Sequence, residues 1–329
     1  MKIAGLVDLQ VNGYRGVSFS DPGLTEEGFA GSCRDLSGAA TSAFLPTIVT
    51  SGREVYERNL PLMARVMGRE EFAGRVLGIH VEGPFISAAE GARGAHDLRH
   101  ICPPDVEFLK RILEWGGGCV RMLTVAAELE GVESLIEYAV GAGVTVSLGH
   151  QMAGPEALGR AAAAGAKALT HLGNGVPAVV GRHENPIWAG LAHDGLSAML
   201  ITDGHHLPGT LIQTFVRAKG VERVNVTSDA SPIAGLLPGR YDTLNNPVVL
   251  DETGRLYNPQ TGYLVGSSAG MIDCMNYLAG LGLLSVEEME QVGFYNPLRL
   301  IGMEAEAVRP MREVFYDEAR GRFEFGEQL

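Results

Sequence analysis

Residues 75–85 read RVLGIHVEGPF. This is a short apolar, β-favouring run that delivers His80 and Glu82 and then breaks at Gly83-Pro84. A strand that ends on an imidazole and a carboxylate, followed at once by a turn, is the texture of a βα unit with chemistry at its C-terminal end. The texture recurs along the first 230 residues. Strands are expected at Ile3–Val11, Ser42–Val49, Arg75–Val81, Val120–Ala126, Val144–Leu148, Ala166–Leu172, Ala198–Thr202 and Val224–Ser228. Their near-continuous apolar character fits parallel strands covered on both faces. Between them, segments such as Pro104–Trp115, Gly131–Ala142 and Pro155–Ala164 carry apolar residues at helical spacing with Gly or Pro at their ends. Eight such units approach the length of a (β/α)₈ TIM-like barrel. The competing α/β architecture, a doubly wound open sheet, lacks its usual GxGxxG turn after the first strand.

Beyond the eighth strand the pattern changes. Arg240–Leu264 is turn-rich and reads as a β excursion. Helices are expected over Ser267–Leu281 and Ser285–Ile301, the second opened by a capping box of Ser285 and Glu288. Glu313–Phe325 reads as a short β pair. With no repeat and no Pro/Ser linker, residues 1–329 are expected to form one domain.

Composition removes several function classes. The 26 Lys and Arg against 39 Asp and Glu give a formal charge of −13, which repels a phosphate backbone, so no nucleic-acid partner is expected. No apolar run is long enough to span a bilayer. The N-terminal stretch turns polar at Asp8, too soon for a secretory segment. Cys33, Cys102, Cys119 and Cys274 are scattered without a CxxC pair and are expected to be reduced. A cytoplasmic globular protein is expected.

The strand ends carry the chemistry. Strand one supplies Asp8, Gln10 and Asn12 at alternate positions, strand three His80 and Glu82, strand five His150, strand six His171 and strand eight Asp229. In a barrel these ends ring one mouth. Any one such histidine is more often a hydrogen-bonded loop residue than a ligand. Glu82, His150 and His171 together, however, form the one-carboxylate, two-imidazole set that leaves a catalytic divalent metal an open position. Asp229 is then placed to accept a proton from water. His100, His183, His193 and His205 have no strand-end position and are expected on the surface or in packing.

The ordered series DLQVNG (8–13), HVEGPF (80–85), RGAHD (93–97), LGHQMA (148–153), THLGN (170–174), ITDGHH (201–206), SDASPIAGLLPGRY (228–241) and LVGS (264–267) resembles the amidohydrolase superfamily. Within it, the series is similar to N-acetylglucosamine-6-phosphate deacetylases. The resemblance runs from about Ile3 to Met303. It implies metal-dependent release of acetate from an amino sugar phosphate, with Glu82, His150 and His171 as metal ligands and Asp229 as the catalytic carboxylate. Gln10 and Asn12 stand where relatives with two metals carry an HxH pair. Amides are poor ligands for zinc, so one ion is expected: zinc, with iron, cobalt or manganese also compatible with the ligands. The resemblance further places Gln10, Ala95, His96, Asn174, Gly175, His206 and Leu264, Val265 and Gly266 at the substrate. It implies a homodimer in which Arg182 reaches the phosphate in the neighbouring subunit's site.

Two features depart from the family pattern. Its members carry a stretch before the DxQxNG strand that builds a small β-sandwich with the C-terminal end; here that sandwich is expected to be reduced or absent. The family's usual NAM after the second histidine is Asn174-Gly175-Val176 here, and GRHENPIWAG follows, so a drift toward another acylated amino sugar is a second expectation. The rival readings are a cyclic amidase or deaminase on the same metal site, and a non-catalytic barrel that binds a sugar phosphate.

Overall fold

The computed structural model describes residues 1–328. Eight parallel strands follow one another around a barrel: β1 (Val7–Val11), β2 (Ala43–Val49), β3 (Ile79–Glu82), β4 (Val120–Val125), β5 (Thr145–Leu148), β6 (Ala168–Leu169), β7 (Ser197–Ile201) and β8 (Val224–Thr227). The ring closes where Val11 bridges Ala230 and the Asn12 N–H donates to the Ala230 carbonyl at 2.7 Å. The intervening helices are α1 (Glu26–Ala39), α2 (Arg53–Met67), α3 (Val106–Trp115), α4 (Val132–Gly141), α5 (Pro155–Ala163), α6 (Pro186–Ala192) and α7 (Gly209–Lys219), with α8 (Met271–Gly280) after the β excursion. Local chemistry starts them. Asp105 caps α3 by accepting from the Phe108 N–H, and Asn185 caps α6 with Pro186 in its first turn. No helix among the described residues is long and apolar enough to cross a membrane.

The barrel interior is layered. At the bottom, Val7, Leu9, Ala43, Leu45, Met122, Ala168 and Met199 pack with Phe294, Leu298 and Ile301, which plug the ring from the C-terminal segment. Above them runs a buried polar chain. The His80 ring joins the Leu9 carbonyl (3.0 Å) to the Thr124 hydroxyl (2.8 Å), which meets Thr170 (2.8 Å), which donates to Ser147 (2.6 Å). Buried polar groups survive there because each has a partner. This layer is the floor on which the strand-end residues stand.

Several expected boundaries move. Ile3–Val11 is two strands, because Gly5 takes φ 148° in a gap where a Cβ would lie 2.9 Å from Ser42 Oγ. Lys2–Ile3 leaves the barrel and pairs antiparallel with β12 (Arg312–Asp317), which pairs with β13 (Arg322–Gln328). The β tail is therefore the core of a three-stranded sheet. The excursion after β8 is likewise three-stranded: β9 (Gly239–Thr243), β10 (Asn246–Leu250) and β11 (Leu256–Tyr257). The Ser285 and Glu288 capping box forms, but the helix it opens is broken by a π-helical turn at Gln291–Tyr295 before Asn296–Leu300. Pro297 has no N–H to continue the ladder there.

Strand one also departs from simple alternation. A register shift between Asp8 and Val11 separates Asp8 from the face shared by Gln10 and Asn12. Asp8 instead accepts from the Thr227 hydroxyl (2.7 Å) and from the N–H and hydroxyl of Ser228. It anchors the end of β8 rather than lining the mouth.

Candidate active site

The strand ends turn abruptly where the chemistry sits. His150 (φ 51°), His171 (φ 30°) and Asp229 (φ 51°) all occupy left-handed backbone, which costs a non-glycine residue about 1–3 kcal/mol. Each is held by a bond to its own carbonyl, from the N–H of Ser87, Asn174 and Ser267 respectively, all at 2.9 Å. Such strain, repeated at three strand ends facing one mouth, marks a site that the rest of the fold over-determines.

Glu82 Oε1, His150 Nε2 and His171 Nε2 converge. Oε1 lies 3.2 Å from the first nitrogen and 3.1 Å from the second, and the nitrogens are 3.1 Å apart. All three residues are buried. His150 Nδ1 donates to the Ala92 carbonyl at 2.8 Å, so its Nε2 is a bare lone pair directed at a carboxylate oxygen. Lone pairs facing one another at hydrogen-bond distance need a cation between them. Atoms on such a triangle lie about 1.8 Å from its centre, so all three could reach an ion at the ~2.0–2.2 Å that zinc keeps from N and O. The residues present therefore fit a single divalent metal. Burial works against charge on Glu82, yet the imidazoles of His150, His171 and His96 gathered around it outweigh burial and hold the carboxyl well below its ordinary range.

Asp229 stands across the mouth. Its Oδ1 accepts from Gln10 Nε2 (3.0 Å) and Asn12 Nδ2 (2.7 Å), and Gln10 also donates to Glu82 Oε1 at 2.8 Å. One amide thus spaces the two carboxylates, which explains an amide pair where HxH would supply more metal ligands. Burial and the nearby Glu82 push the Asp229 carboxyl up to about 6. His96 Nε2 is 3.1 Å from His150 Nε2 and 3.7 Å from Glu82 Oε2. Burial and the His150 ring push it down to about 3, so His96 is a neutral imidazole at pH 7.

These groups open into a cavity of about 920 Å³. Ala95, His96, Asn174, Gly175, His206, Leu264 and Gly266 line it. The β9–β10 hairpin forms one wall and is tied to the site by Asn246 Nδ2, which donates to the Ala95 carbonyl at 3.3 Å. Gln10 lies beneath the cavity among the carboxylates, while Val265 turns away into an apolar cluster with Ile233, Val248, Leu250 and Leu256. Arg182 is exposed and stands off the cavity wall, on a loop where its carbonyl accepts from Trp188 Nε1 at 3.2 Å. Among the described residues the lining holds Asp21, Glu82, Asp97, Asp229 and Asp242 but no Lys or Arg.

Asp203 belongs to this site although it did not stand among the expected site residues, and so does Asn12, which the strand-one pattern had placed at the mouth. Asn12 holds Asp229, and Asp203 binds the His206 ring at 2.8 Å. The signal for Asp203 was present: it is the first acid beyond strand seven, the same position from which the other strand ends were read.

Gly175 is required by the packing of the His150 and His171 rings. It takes φ 61°, and a Cβ there would lie 3.0 Å from His150 Nδ1 and 3.1 Å from His171 Cε1. Gly175→Ala is expected to splay the two imidazoles and weaken metal affinity about tenfold or more, measured by competition with a chromophoric chelator. Unchanged affinity would show that the rings have room to move.

Comparison with known proteins was made against this geometry. No protein-family model matches the sequence. The chain is 34% identical over 310 residues to N-acetylglucosamine-6-phosphate deacetylase of Bos taurus, covering 91% of this chain and 74% of the relative. It is 31% identical over 295 residues to N-acetylgalactosamine-6-phosphate deacetylase of a Shewanella species, covering 87% and 71%. The structure of an aspartate-to-alanine mutant of the Mycobacterium smegmatis enzyme, in complex with N-acetyl-D-glucosamine-6-phosphate, superposes with a TM-score of 0.86 at 26% identity, covering 98% of this chain and 84% of that one. A buried Glu/His/His triangle opposite an isolated aspartate, on a barrel shared with these proteins, leads to one assignment: the chain belongs to the N-acetylglucosamine-6-phosphate deacetylase family.

Proposed function

We propose that the protein hydrolyses N-acetylglucosamine 6-phosphate to glucosamine 6-phosphate and acetate. The observation that carries this reading is the Glu82–His150–His171 triangle with Asp229 across from it. Glu82, His150 and His171 would hold a divalent cation, which when bound would supply activation of a water and polarisation of the acetamide carbonyl. Asp229, fixed by Gln10 and Asn12, accepts the water's proton as the water attacks, then hands that proton to the departing nitrogen. His96, neutral and beside the ligands, donates a hydrogen bond to the oxygen that gains negative charge. Asn174, Gly175 and the 264–266 loop bound the sugar, and the β9–β10 wall limits access of bulk water.

We further propose that the metal is zinc, on the strength of one carboxylate and two imidazoles, and that the protein works in the cytoplasm, where sugar phosphates are found. Among the described residues, the cavity of one chain offers a phosphate no Lys or Arg. A homodimer in which Arg182 of one copy enters the other's site meets that need, because a guanidinium binds phosphate with paired hydrogen bonds. Arg182→Ala is expected to raise KM for phosphorylated substrates by about 10–100-fold and to leave unphosphorylated analogues nearly unchanged. Equal weakening of both would show that Arg182 does not bind the phosphate.

The deciding experiment is acetate release by metal-loaded protein from N-acetylglucosamine and N-acetylgalactosamine, each with and without a 6-phosphate. Acetate from the phosphorylated gluco compound is the expected result. Preference for the galacto epimer would move the substrate toward the Shewanella relative's. Ammonia or a ring-opened acid from a cyclic amide, with no acetate, would replace the deacetylase reading.

A further inference from the structure

We propose that Asp203 is a positioning residue for substrate capture: it locks the His206 ring so that Nε2 faces the cavity, and it ties that ring to the loop beside Asp229. Asp203 lies just beyond β7, with its side chain only 3% exposed. Its carboxylate is fully engaged. Oδ1 accepts from the N–H groups of His205 and His206, both at 2.9 Å, and Oδ2 accepts from His206 Nδ1 at 2.8 Å and from the Ser267 hydroxyl at 3.2 Å. Burial disfavours its charge, but the bonds from His206 outweigh burial and hold the carboxyl far below its ordinary range.

An ionised carboxylate can only accept, so His206 Nδ1 carries a proton and Nε2 is the nitrogen left for a ligand. Of the histidines lining the cavity, His150 and His171 belong to the candidate metal triangle and His96 lies against it, held neutral by burial. His206 is therefore the remaining lining side chain able to bear positive charge, in a wall without Lys or Arg among the described residues. An anion entering the cavity meets the ring at Nε2, while Asp203 holds the far nitrogen. The other titratable groups packed around this loop are Asp229 from the end of β8, and Tyr277 and Cys274 from α8.

Ser267 extends the device. Its hydroxyl donates to Asp203, its N–H donates to the Asp229 carbonyl at 2.9 Å, and its own carbonyl accepts from the Ser231 N–H at 2.8 Å. One carboxylate thus registers the anion-binding ring against the loop that bounds the sugar and against the backbone of the catalytic acid. His205, by contrast, points its Nε2 at the Thr253 carbonyl.

The proposal rests on the sugar-phosphate reading for the identity of the anion, so the test has two arms. In the first, metal-loaded protein with ¹⁵N-labelled histidine is titrated with inorganic phosphate. The neutral His206 ring is expected to carry its proton on Nδ1, against Asp203, and its Nε2 resonance is expected to shift when phosphate binds. A free ring protonated at Nε2 instead would overturn the proposal. In the second, Asp203→Asn is expected to raise KM for the phosphorylated substrate at least about tenfold while changing kcat less than about threefold, and to spare the unphosphorylated analogue. An equal rise for both substrates would overturn it. Should Asp203→Asn fail to fold, His206→Gln is expected to reproduce the KM effect, and its failure to do so would count against the proposal. If no N-acetylhexosamine phosphate releases acetate, the functional reading falls and the ¹⁵N arm alone decides the role of Asp203.

Discussion

Asp229→Asn is expected to lower kcat by about 10⁴-fold while the protein keeps one metal ion per chain. The asparagine oxygen still accepts from Gln10 and Asn12, whose amides hold this position at 3.0 and 2.7 Å. The geometry of the mouth is therefore preserved, and only the capacity to take and return a proton is lost. Metal analysis alongside single-turnover kinetics checks both halves. Turnover within about tenfold of the parent would remove Asp229 from the proton path. A stability readout accompanies this. In metal-free protein burial and Glu82 push Asp229 up to about 6, above its unfolded value. The stability this group contributes is complete below about pH 4 and is lost as pH rises through 6. Near pH 7.5 the buried charge costs about 3 kcal/mol, so the metal-free asparagine variant is expected to melt higher than its parent, with the advantage gone near pH 4. A bound cation works in the opposite sense, stabilising the carboxylate, which sets the acid limb of kcat/KM in the loaded enzyme below pH 6.

The barrel was readable because each strand is apolar on both faces and stops at a turn marked by Gly or by a polar residue. Glu82, His150, His171 and Asp229 were readable for the same reason: they are the side chains left at those stops. Asp8 was misread because periodicity assumes an unbroken pleat, and the register shift between Asp8 and Val11 carries no composition signal. The Lys2–Ile3 strand was hidden since its partner, Arg312–Asp317, lies some 310 residues away, and pairing at that distance leaves no mark on local sequence. The π-helical turn near Phe294 answers to packing inside the barrel floor, where Phe294 and Leu298 both point, and Pro297 alone hinted at it. Asp203 was overlooked because an acid beside two histidines reads as surface loop until its four hydrogen bonds are seen.

Glu82→Gln is expected to abolish metal binding and activity together. Metal content falls from near one ion per chain to below about a tenth, and kcat/KM falls by at least about 10³-fold. In the parent, the Glu82 oxygen and the bare His150 nitrogen face each other at 3.2 Å, an arrangement that a cation relieves. The glutamine amide changes that balance twice over. It removes the one negative charge among the three ligands, and its NH₂ donates directly to the His150 lone pair, so the metal-free site becomes satisfied without an ion. The variant is therefore expected to fold, and its thermal stability is expected to be indifferent to added zinc. The parent, by linkage, gains about 4 kcal/mol when free metal stands 1,000-fold above its dissociation constant. Calorimetry of both proteins with and without a chelator separates loss of the ion from loss of the fold. A variant that still holds a stoichiometric ion would place the metal elsewhere in the cavity, and the hydrolytic reading of this mouth would have to be rebuilt around that position.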